Sequence, residues 1–443
     1  MPIYVPPLFT FLSTKINYYL LWYLLIAIIV LYILLVAYIK IKLRFWRTQP
    51  VFHIYNLLYW FSPPGIIHPQ IPETDNNKYM NHLAIKTYAI DNLADITLDQ
   101  FCNFVKNYYA FHSFAQNSNS AHSFAQNYDS EYRPRKTDIL GYLEGTNHPS
   151  YISLYVEPKM LFQKGQVISS LNTIKGVISA RAINICIKSR GPVFPSYYVD
   201  NLCVLPEARK TGIAPELIQT HYYNLRKNNS RIKTCLFKRE GELTAIVPLT
   251  TFETYCYDLG NSDSASTSGI VSYGGFDTIS PTTSGIVIVE IGLPQLALLV
   301  EFIKSQQHKF DCVILPDLTN LANMIKTGNI SIYGLINSGV ISSIYVFRTI
   351  QLYYNSKRAT ECTLALYSNN KELFINGFTI ALQKVKEKYK VDILLMEDTA
   401  QANGLIAHFK VLGVPLLFKS PTAFFLYNYA CYSISHRSFM ILY

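Results

Sequence analysis

A long uncharged run near the N-terminus constrains this chain more than any other feature of its sequence. From Ile16 to Ile39 there is no charged residue, and apart from one Asn the run contains Leu, Ile, Val, Tyr, Trp and Ala. A helix of about 24 residues reaches about 36 Å, which exceeds the roughly 30 Å hydrocarbon core of a bilayer. The run predicts one transmembrane helix at about 16–39, within an N-terminal segment of residues 1–43.

The charges that flank this run indicate its orientation. Lys15 precedes it, whereas Lys40, Lys42, Arg44 and Arg47 follow it. The positive-inside rule therefore predicts a single-pass protein whose C-terminal bulk lies on the cytoplasmic face. A cleaved signal peptide and a buried core helix are the alternatives. The run is longer than either usually is, and no small-residue cleavage site follows it.

Composition limits what the rest of the chain can be. Of the 443 residues, 50% are hydrophobic and 15% are charged, which excludes a disordered chain. The net charge of +10 suits a phosphate-bearing ligand or an anionic membrane surface, and we expect no nucleic-acid partner. Eight cysteines include no C-x-x-C motif, a pattern typical of free thiols in a reducing compartment rather than of a metal site. We expect a monomer.

Alternating strand and helix patterns predict an α+β fold in two similar parts, each a mixed sheet flanked by helices. The first part has strands at 175–180, 183–187, 197–205 and 232–237 and helices at 98–109 and 215–224. The second has strands at 286–291, 362–367, 391–396 and 423–429, helices at 294–306 and 372–389, and a hairpin of 330–336 with 340–347. These patterns predict domains at 44–258 and 286–443.

Two polar segments separate or interrupt these parts. Residues 259–285 are rich in Ser, Thr and Gly and predict a linker. The sequence HSFAQN occurs at 112–117 and again at 122–127. A ten-residue duplication is too short for a repeat architecture, and we interpret it as an expanded surface loop rather than as a pair of metal-binding histidines.

The clearest chemical signal is a basic loop between a strand and a helix. This phosphate loop comprises Arg209, Lys210, Thr211, Gly212, Ile213 and Ala214. The free N–H groups and the dipole of a helix N-terminus favour an anion, and glycine lets the backbone approach a phosphate closely. The alternative is an ordinary strand–turn–helix connection with a solvated basic turn.

Four segments in order resemble the N-myristoyltransferases, a subfamily of the GNAT acyltransferases. RFWRTQPV (44–51) resembles the family's FWDTQPV, and KGVISARAINI (175–185) is similar to VGFISAIPANI. VDNLCVLPEARKTGIAP (199–215) is similar to INFLCV with the following R-S-K-R-x-A-P loop, and AFFLYNYAC (423–431) resembles YYLYNWKC. The resemblance extends from about Arg44 to Tyr443. It implies two pseudo-symmetric GNAT-like halves, the first binding acyl-CoA and the second binding the peptide.

The resemblance implies a transfer of the tetradecanoyl group from myristoyl-CoA, used as co-substrate without a separate cofactor or metal, to an N-terminal glycine. Arg44, Phe45 and Trp46 fall where the family's N-terminal segment closes over the acyl-CoA. Cys203 and Val204 continue the strand that contacts it, and the phosphate loop would hold the CoA phosphates.

It also implies catalytic groups that come from the main chain. The backbone N–H groups of Asn201 and Leu202 would form the oxyanion hole, and the terminal α-carboxylate of Tyr443 would take the proton from the glycine ammonium. The apolar ending FMILY (439–443) predicts a buried terminus rather than a frayed one.

The sequence departs from the family at three places. Asp200 replaces an Asn, and Lys238 aligns with a Thr that helps to seat the amine, so we expect Lys238 to repel the substrate ammonium. Residues 418–421 replace an acidic loop, which predicts a different peptide preference. Two further hypotheses stay open: a relative that binds acyl-CoA or lipidated peptides without turnover, and a GNAT enzyme with another acyl chain or acceptor.

Overall fold

A computed structural model describes residues 7–72, 77–109, 130–163, 166–241, 245–260 and 286–443. The helices are α1 (Pro7–Lys42), α2 (Leu57–Phe61), α3 (Asp95–Tyr108), α4 (Lys136–Leu140), α5 (Ile213–Asn228), α6 (Leu296–Gln306), α7 (Leu318–Thr327), α8 (Lys371–Tyr389) and α9 (Asn403–Val411). The predicted HSFAQN loop and residues 261–285 of the predicted linker lie outside the described residues.

The strands alternate with these helices along the chain. They are β1 (Gly65–Ile66), β2 (Ile85–Ala89), β3 (Ser130–Tyr132), β4 (Tyr151–Gln163), β5 (Gln166–Ile187), β6 (Phe194–Val204), β7 (Cys235–Glu240), β8 (Thr250–Asp258), β9 (Ile286–Glu290), β10 (Cys312–Leu315), β11 (Ile330–Asn337), β12 (Val340–Arg348), β13 (Leu352–Tyr354), β14 (Lys357–Tyr367), β15 (Ile393–Glu397), β16 (Leu416–Tyr427), β17 (Tyr429–Ala430) and β18 (Phe439–Ile441).

One mixed sheet runs through the protein. Its main path is β18-β10-β5-β6-β7-β16-β8-β15-β14-β12-β11-β9, with β4 and then β2 branching from β5. The predicted α+β class, with a mixed sheet flanked by helices, is confirmed. Most neighbours are antiparallel, but β6 pairs with β7, β14 with β15 and β10 with β18 in parallel.

The same order of elements occurs twice in this sheet. In the first part β4, β5 and β6 are successive antiparallel strands, and α5 connects β6 to its parallel neighbour β7. In the second part β11, β12 and β14 are antiparallel, and α8 leads to the parallel neighbour of β14, which is β15. Strand β16 of the second part lies between β7 and β8 of the first. The two parts therefore share one continuous sheet, and the domain boundaries stay a prediction.

Apolar residues at helical spacing attach α8 to the sheet. Phe374, Phe378 and Leu382 recur every fourth residue and are buried at 0–1% exposure. Phe378 stacks on Phe347 of β12, with 5.8 Å between ring centroids. Gly377 permits the close approach, because a Cβ there would lie 2.5 Å from the Tyr345 hydroxyl. The predicted hairpin of β11 with β12 is also present.

The C-terminal tail is threaded into the sheet. Strand β18 pairs in parallel with β10, and Leu442 donates its N–H to the Ile314 carbonyl at 3.0 Å. Residues 439–443 are all 0–1% exposed. The prediction of a buried terminus is confirmed.

Helix α1 contains the predicted span. Its segment Tyr18–Lys42 is the one helix among the described residues that is long and apolar enough to cross a membrane, with mean hydropathy 3.0. From residue 18 to residue 31 every side chain is exposed. Such a surface is unfavourable in water and suits a lipid environment.

Candidate active site

A β-bulge in β6 holds the residues predicted to form the oxyanion hole. Val177 of β5 pairs with Cys203, and Ser179 pairs with Asp200, so that Asn201 and Leu202 together stand opposite one residue. Asn201 takes a left-handed backbone conformation, with φ +54°. A bulge interrupts the ladder and redirects backbone groups, which is why bulges are common next to functional sites.

A largely apolar cavity of about 300 Å³ opens beside this bulge. Strands β6 and β7 pair over two residues each and then separate, and the cavity occupies the space between them and α5. Its apolar lining includes Val199, Leu202, Ile218, Leu225 and Phe237. Such a cavity can bury an apolar chain. Two of its polar lining residues, Asp200 and Asn201, lie at the bulge, and the others, Lys238 among them, come from α5, β7 and adjacent parts of the chain.

The segment after α1 forms part of this cavity. Trp46 lines it and stacks on Phe237, with ring centroids 5.7 Å apart. Phe45 is half-buried and packs edge-on against Tyr79 at 5.1 Å. Arg44 is exposed. Of the three residues predicted to close over the acyl-CoA, the structure therefore brings Trp46 directly to the cavity.

A second, smaller cleft adjoins the bulge and contains the chain terminus. It has about 30 Å³ of space and is lined by residues that include Asp200, Asn201, Arg181, Arg348 and Tyr443. Asp200 and Asn201 line the large cavity as well. The structure thus brings the predicted oxyanion residue Asn201 and the buried terminal residue to one cleft. This space accommodates a group of one or two water molecules in size.

The Asp200 carboxylate accepts a hydrogen bond from one of the N–H groups predicted to form the oxyanion hole. Its Oδ1 accepts the Asn201 N–H at 2.7 Å and the Tyr109 hydroxyl at 3.0 Å. The charge of Asp200, together with burial, raises the pKa of Tyr109 well above its usual value, so the phenol stays a donor. Asn201 can donate to another oxygen when this carboxylate turns away.

Lys238 is paired with buried carboxylates, which offset its positive charge, and the expected repulsion of a substrate amine stays a prediction. Its Nζ lies 3.2 Å from a Glu361 oxygen and forms a second ion pair with Glu397. It also donates to the Tyr443 hydroxyl at 3.0 Å, and that hydroxyl donates to Glu397 at 2.9 Å. The two glutamates come from the parallel pair β14 and β15, a placement that sequence spacing could not reveal.

The two glutamates of this cluster titrate differently. Burial, with repulsion from Glu361, raises the pKa of Glu397 to about 7. Burial also works against ionisation of Glu361, but Lys238 and Arg348 hold its pKa below the usual value. Arg348 lies 3.6 Å from Glu361 and over the Tyr443 ring at 5.1 Å. The terminal residue therefore sits within a charged cluster whose protonation changes near neutral pH.

The phosphate loop connects β6 to α5 as predicted. Gly212 has φ +102° and directly precedes Ile213, the first residue of α5. Lys210 and Thr211 are exposed at this helix start, whereas Arg209 donates its Nε–H to the Val204 carbonyl at 3.0 Å. Ala214 is half-buried in the first turn of α5. The loop offers backbone N–H groups and Lys210 to an anion, and Arg209 is turned toward the strand.

Cys203 and Val204 do not join the cavity through their side chains. Cys203 packs in the core against α3, in a cluster with Phe101 and Val105, and Val204 packs with Leu217 of α5. Among the described residues no group of three or more His, Cys, Asp or Glu side chains could hold a metal ion.

Comparison with known proteins shows similarity in structure and none in sequence families. No protein-family model matches the sequence, and no curated protein matches it. A crystal structure of Saccharomyces cerevisiae N-myristoyltransferase with bound myristoyl-CoA has a TM-score of 0.58 and 15% identity, covering 88% of this chain and 94% of that chain. A second structure of that enzyme with myristoyl-CoA has a TM-score of 0.59 and 15% identity, with 89% of each chain covered. The predicted N-myristoyltransferase-like fold is confirmed.

Proposed function

We propose that this chain, which has the fold of the N-myristoyltransferases, is a membrane-anchored protein N-myristoyltransferase. It would transfer the tetradecanoyl group from myristoyl-CoA to the N-terminal glycine amine of protein substrates. One observation carries the proposal: the bulge residue Asn201 and the buried chain terminus Tyr443 line one cleft, next to an apolar cavity of about 300 Å³.

The bulge and the loop that follows it suit the two ends of an acyl-CoA. The apolar cavity would hold the acyl chain, with Trp46 covering it from the segment after the anchor. The phosphate loop follows the C-terminal end of the same strand, a few residues after the bulge, where Lys210 and the start of α5 would bind the CoA phosphates. The thioester would then lie at the bulge, between the Asn201 and Leu202 N–H groups.

The reaction needs a base and an anion-stabilising pair of donors. A glycine α-ammonium has a pKa near about 8 and must lose a proton before its nitrogen can attack. The Tyr443 α-carboxylate would accept that proton and the C–N bond would form. The C–S bond would then break, and the departing CoA thiolate would take the second proton from the attacking nitrogen, which leaves the amide. Negative charge on the carbonyl oxygen would be held by the two N–H groups, each worth about 3–4 kcal/mol of barrier.

Asp200 gives this site a property of its own. Its carboxylate accepts the Asn201 N–H at 2.7 Å when no ligand is bound. A substrate ammonium entering the cleft is a stronger partner for the carboxylate, because it adds the attraction between two opposite charges to the hydrogen bond. Asp200 would turn to the ammonium and release the Asn201 N–H to the thioester carbonyl.

The direct test is an activity assay on untagged protein with myristoyl-CoA and Gly-initiated peptides. We expect acyl-peptide with Gly at the first position and none with the matched Pro-initiated peptide. Removal of Leu442 and Tyr443 should abolish turnover while acyl-CoA binding persists. Unchanged turnover after this truncation would contradict the role given to the terminus.

A binding protein without turnover is the second candidate. The occupied Asn201 N–H favours it, because a donor held by Asp200 cannot stabilise an oxyanion. A single-turnover experiment with stoichiometric myristoyl-CoA separates the two, since a binder forms no acyl-peptide. Mass spectrometry of the acyl-CoA that copurifies with the protein would detect a different acyl chain, which would indicate another acyltransferase specificity.

Helix α1 would anchor this enzyme in a membrane, with the remainder of the chain on the cytoplasmic face. The lysines and arginines directly after the span set this orientation and would also attract anionic lipids. An anchored transferase would act close to the membranes that its lipidated products join.

A further inference from the structure

The C-terminal part of α1 packs against the folded domain. Tyr32 and Val36 are half-buried and Ile39 is 5% exposed, so one face of the helix contacts protein. The Tyr32 hydroxyl donates to the Tyr55 carbonyl at 2.8 Å, and Lys40 lies over the Tyr55 ring at 5.7 Å. The chain around Tyr55 is thus held beside the last turns of the apolar helix.

The position of Tyr32 within the span determines how deep this contact lies. A hydrocarbon core of about 30 Å takes about 20 residues of helix, and lysines bound the apolar run at both ends. The core can therefore extend over residues from 16–35 to 20–39. In either placement the Tyr32 Cα lies about 4–11 Å inside the hydrocarbon edge, at a rise of about 1.5 Å per residue. Its side chain leans toward the helix N-terminus, which is deeper still.

The segment that follows Tyr55 exposes large apolar side chains, as a segment within the hydrocarbon core should. Helix α2 has the sequence LLYWF, and its Leu58 and Phe61 are 81% and 84% exposed. The helix is rigidly held, because Trp60 packs on the buried Phe52 with ring centroids 5.0 Å apart. Two large apolar side chains held in the open are costly in water and favourable in lipid.

The Trp60 indole and several backbone groups of this segment have hydrogen-bond partners within the protein. The Trp60 indole N–H donates to the Ile54 carbonyl at 2.9 Å. The Tyr432 hydroxyl lies 3.0 Å from the Trp60 carbonyl and 3.2 Å from that of Phe61. The carbonyl of Tyr55 accepts from Tyr32. Hydrocarbon offers no hydrogen bonds, so internal partners are a requirement for any backbone at that depth.

We propose that residues 55–61, the dipping segment, insert into the acyl chains of the leaflet on the side of the folded domain. This inference rests on the proposed membrane anchor and adds a second membrane-embedded element to it. We assign the exposed apolar surface of this segment to the lipid leaflet, because the contact between Tyr32 and Tyr55 places the segment beside a part of α1 that lies inside the bilayer. The two embedded elements would fix the orientation of the folded domain relative to the membrane. Trp46 would then lie within about 14 Å of Lys42, the last residue of α1, because it is only four residues further along the chain.

The test measures how deep single nitroxide labels lie in the full-length protein, reconstituted in phosphatidylcholine–phosphatidylserine vesicles. One label replaces Phe61 (Phe61→Cys), and its matched control replaces Val411 (Val411→Cys) at the end of α9, which is also 84% exposed. A third, Ile28→Cys, reports on the span itself. The native cysteines are buried, except for the half-buried Cys186, so the unsubstituted chain gives the labelling background.

Power saturation with oxygen and with a water-soluble nickel chelate decides the outcome. We expect the labels at 28 and 61 to be several-fold more accessible to oxygen than to the chelate, and the label at 411 to show the reverse. A label at 61 that is as open to the chelate as that at 411, while the one at 28 lies in lipid, overturns the dipping segment alone. Chelate access at 28 overturns the anchor and the segment together. Dipolar broadening between labels at 61 would show a second copy covering the patch, which also overturns the inference.

Discussion

The terminal carboxylate can be tested by changing one functional group. A chain prepared by ligation with a C-terminal amide at Tyr443 keeps the side chain, its hydrogen bonds to Lys238 and Glu397, and the packing of β18. It loses the negative charge and the proton-accepting oxygen. If the α-carboxylate is the base, the amide should bind myristoyl-CoA normally and transfer the acyl group slowly.

The size of the loss follows from the substrate and from the burial of the site. At pH 7 about a tenth of an α-amine with a pKa near 8 is neutral, so a site without its base loses at least about tenfold. Tyr443 is 1% exposed, and a cleft of about 30 Å³ leaves little room for water to replace the base. Positioned general bases contribute about 10²–10⁴-fold, or about 3–5 kcal/mol. We expect the kcat of the amide to be about 10²–10⁴-fold lower than that of the free acid at pH 7.

The assay is single-turnover acyl transfer from pH 6 to 9, with the same ligated chain ending in the free acid as the control. The rate of the amide should rise about tenfold per pH unit and level off near pH 8, as the substrate amine loses its proton in solution. The melting temperature and the acyl-CoA affinity should match those of the control. An amide that turns over like the free acid at pH 7 would refute the assignment of the base.

Three further substitutions test the surroundings of this site. Lys238→Met should destabilise the protein by about 3–5 kcal/mol at pH 7, because it leaves buried carboxylates unpaired. The pKa of Glu397 is raised from 4.5 to about 7, so its favourable contribution to stability is complete below pH 4.5 and is lost as the pH rises through 7. Melting curves of the variant should therefore show partial recovery of stability at pH 5, and a loss that does not depend on pH would contradict this. Asp200→Asn should raise the peptide KM by about tenfold in steady-state assays with acyl-CoA affinity unchanged; a hundredfold fall in kcat would instead make Asp200 the base. Gly212→Ala, at φ +102°, should weaken CoA binding in calorimetry and lower stability by about 1–2 kcal/mol. Its control is Gly413→Ala, at φ +67°, where an added Cβ also meets no neighbouring atom. This control should lower stability by a similar amount and leave the affinity for CoA unchanged.

Local patterns predicted most of the elements around the site. The strand before the phosphate loop, predicted at 197–205, is β6 (Phe194–Val204), and the helix predicted at 215–224 is α5 (Ile213–Asn228). The helix predicted at 372–389 is α8 (Lys371–Tyr389). These predictions succeeded because hydrophobic periodicity and glycine placement act over a few neighbouring residues. Strands β2, β4, β8 and β10 were not predicted. Strand β10 has only four residues, and in β8 the buried positions include Thr250 and Thr254, so the apolar alternation is weak.

The charged cluster could not be predicted in the same way. Lys238 looked like an isolated positive charge beside the substrate, yet Glu361 and Glu397 neutralise it from two strands more than a hundred residues away. Whether a charge is paired depends on which strands are neighbours in the sheet, and that is a property of topology. The bond between Asp200 and the Asn201 N–H likewise depends on the local shape of a bulge.

Several features of this protein follow from its sequence alone, because they depend on residues that are close together in the chain. They include the apolar helix and its flanking charges, the loop before α5, and the apolar character of residues 439–443. Tertiary structure decided where these parts meet. It placed Tyr443 in a cleft with Asn201, and it joined Tyr32 of the anchor to Tyr55 of the domain. Such contacts arise when distant segments pack to bury apolar surface, and no local pattern encodes which of them become neighbours.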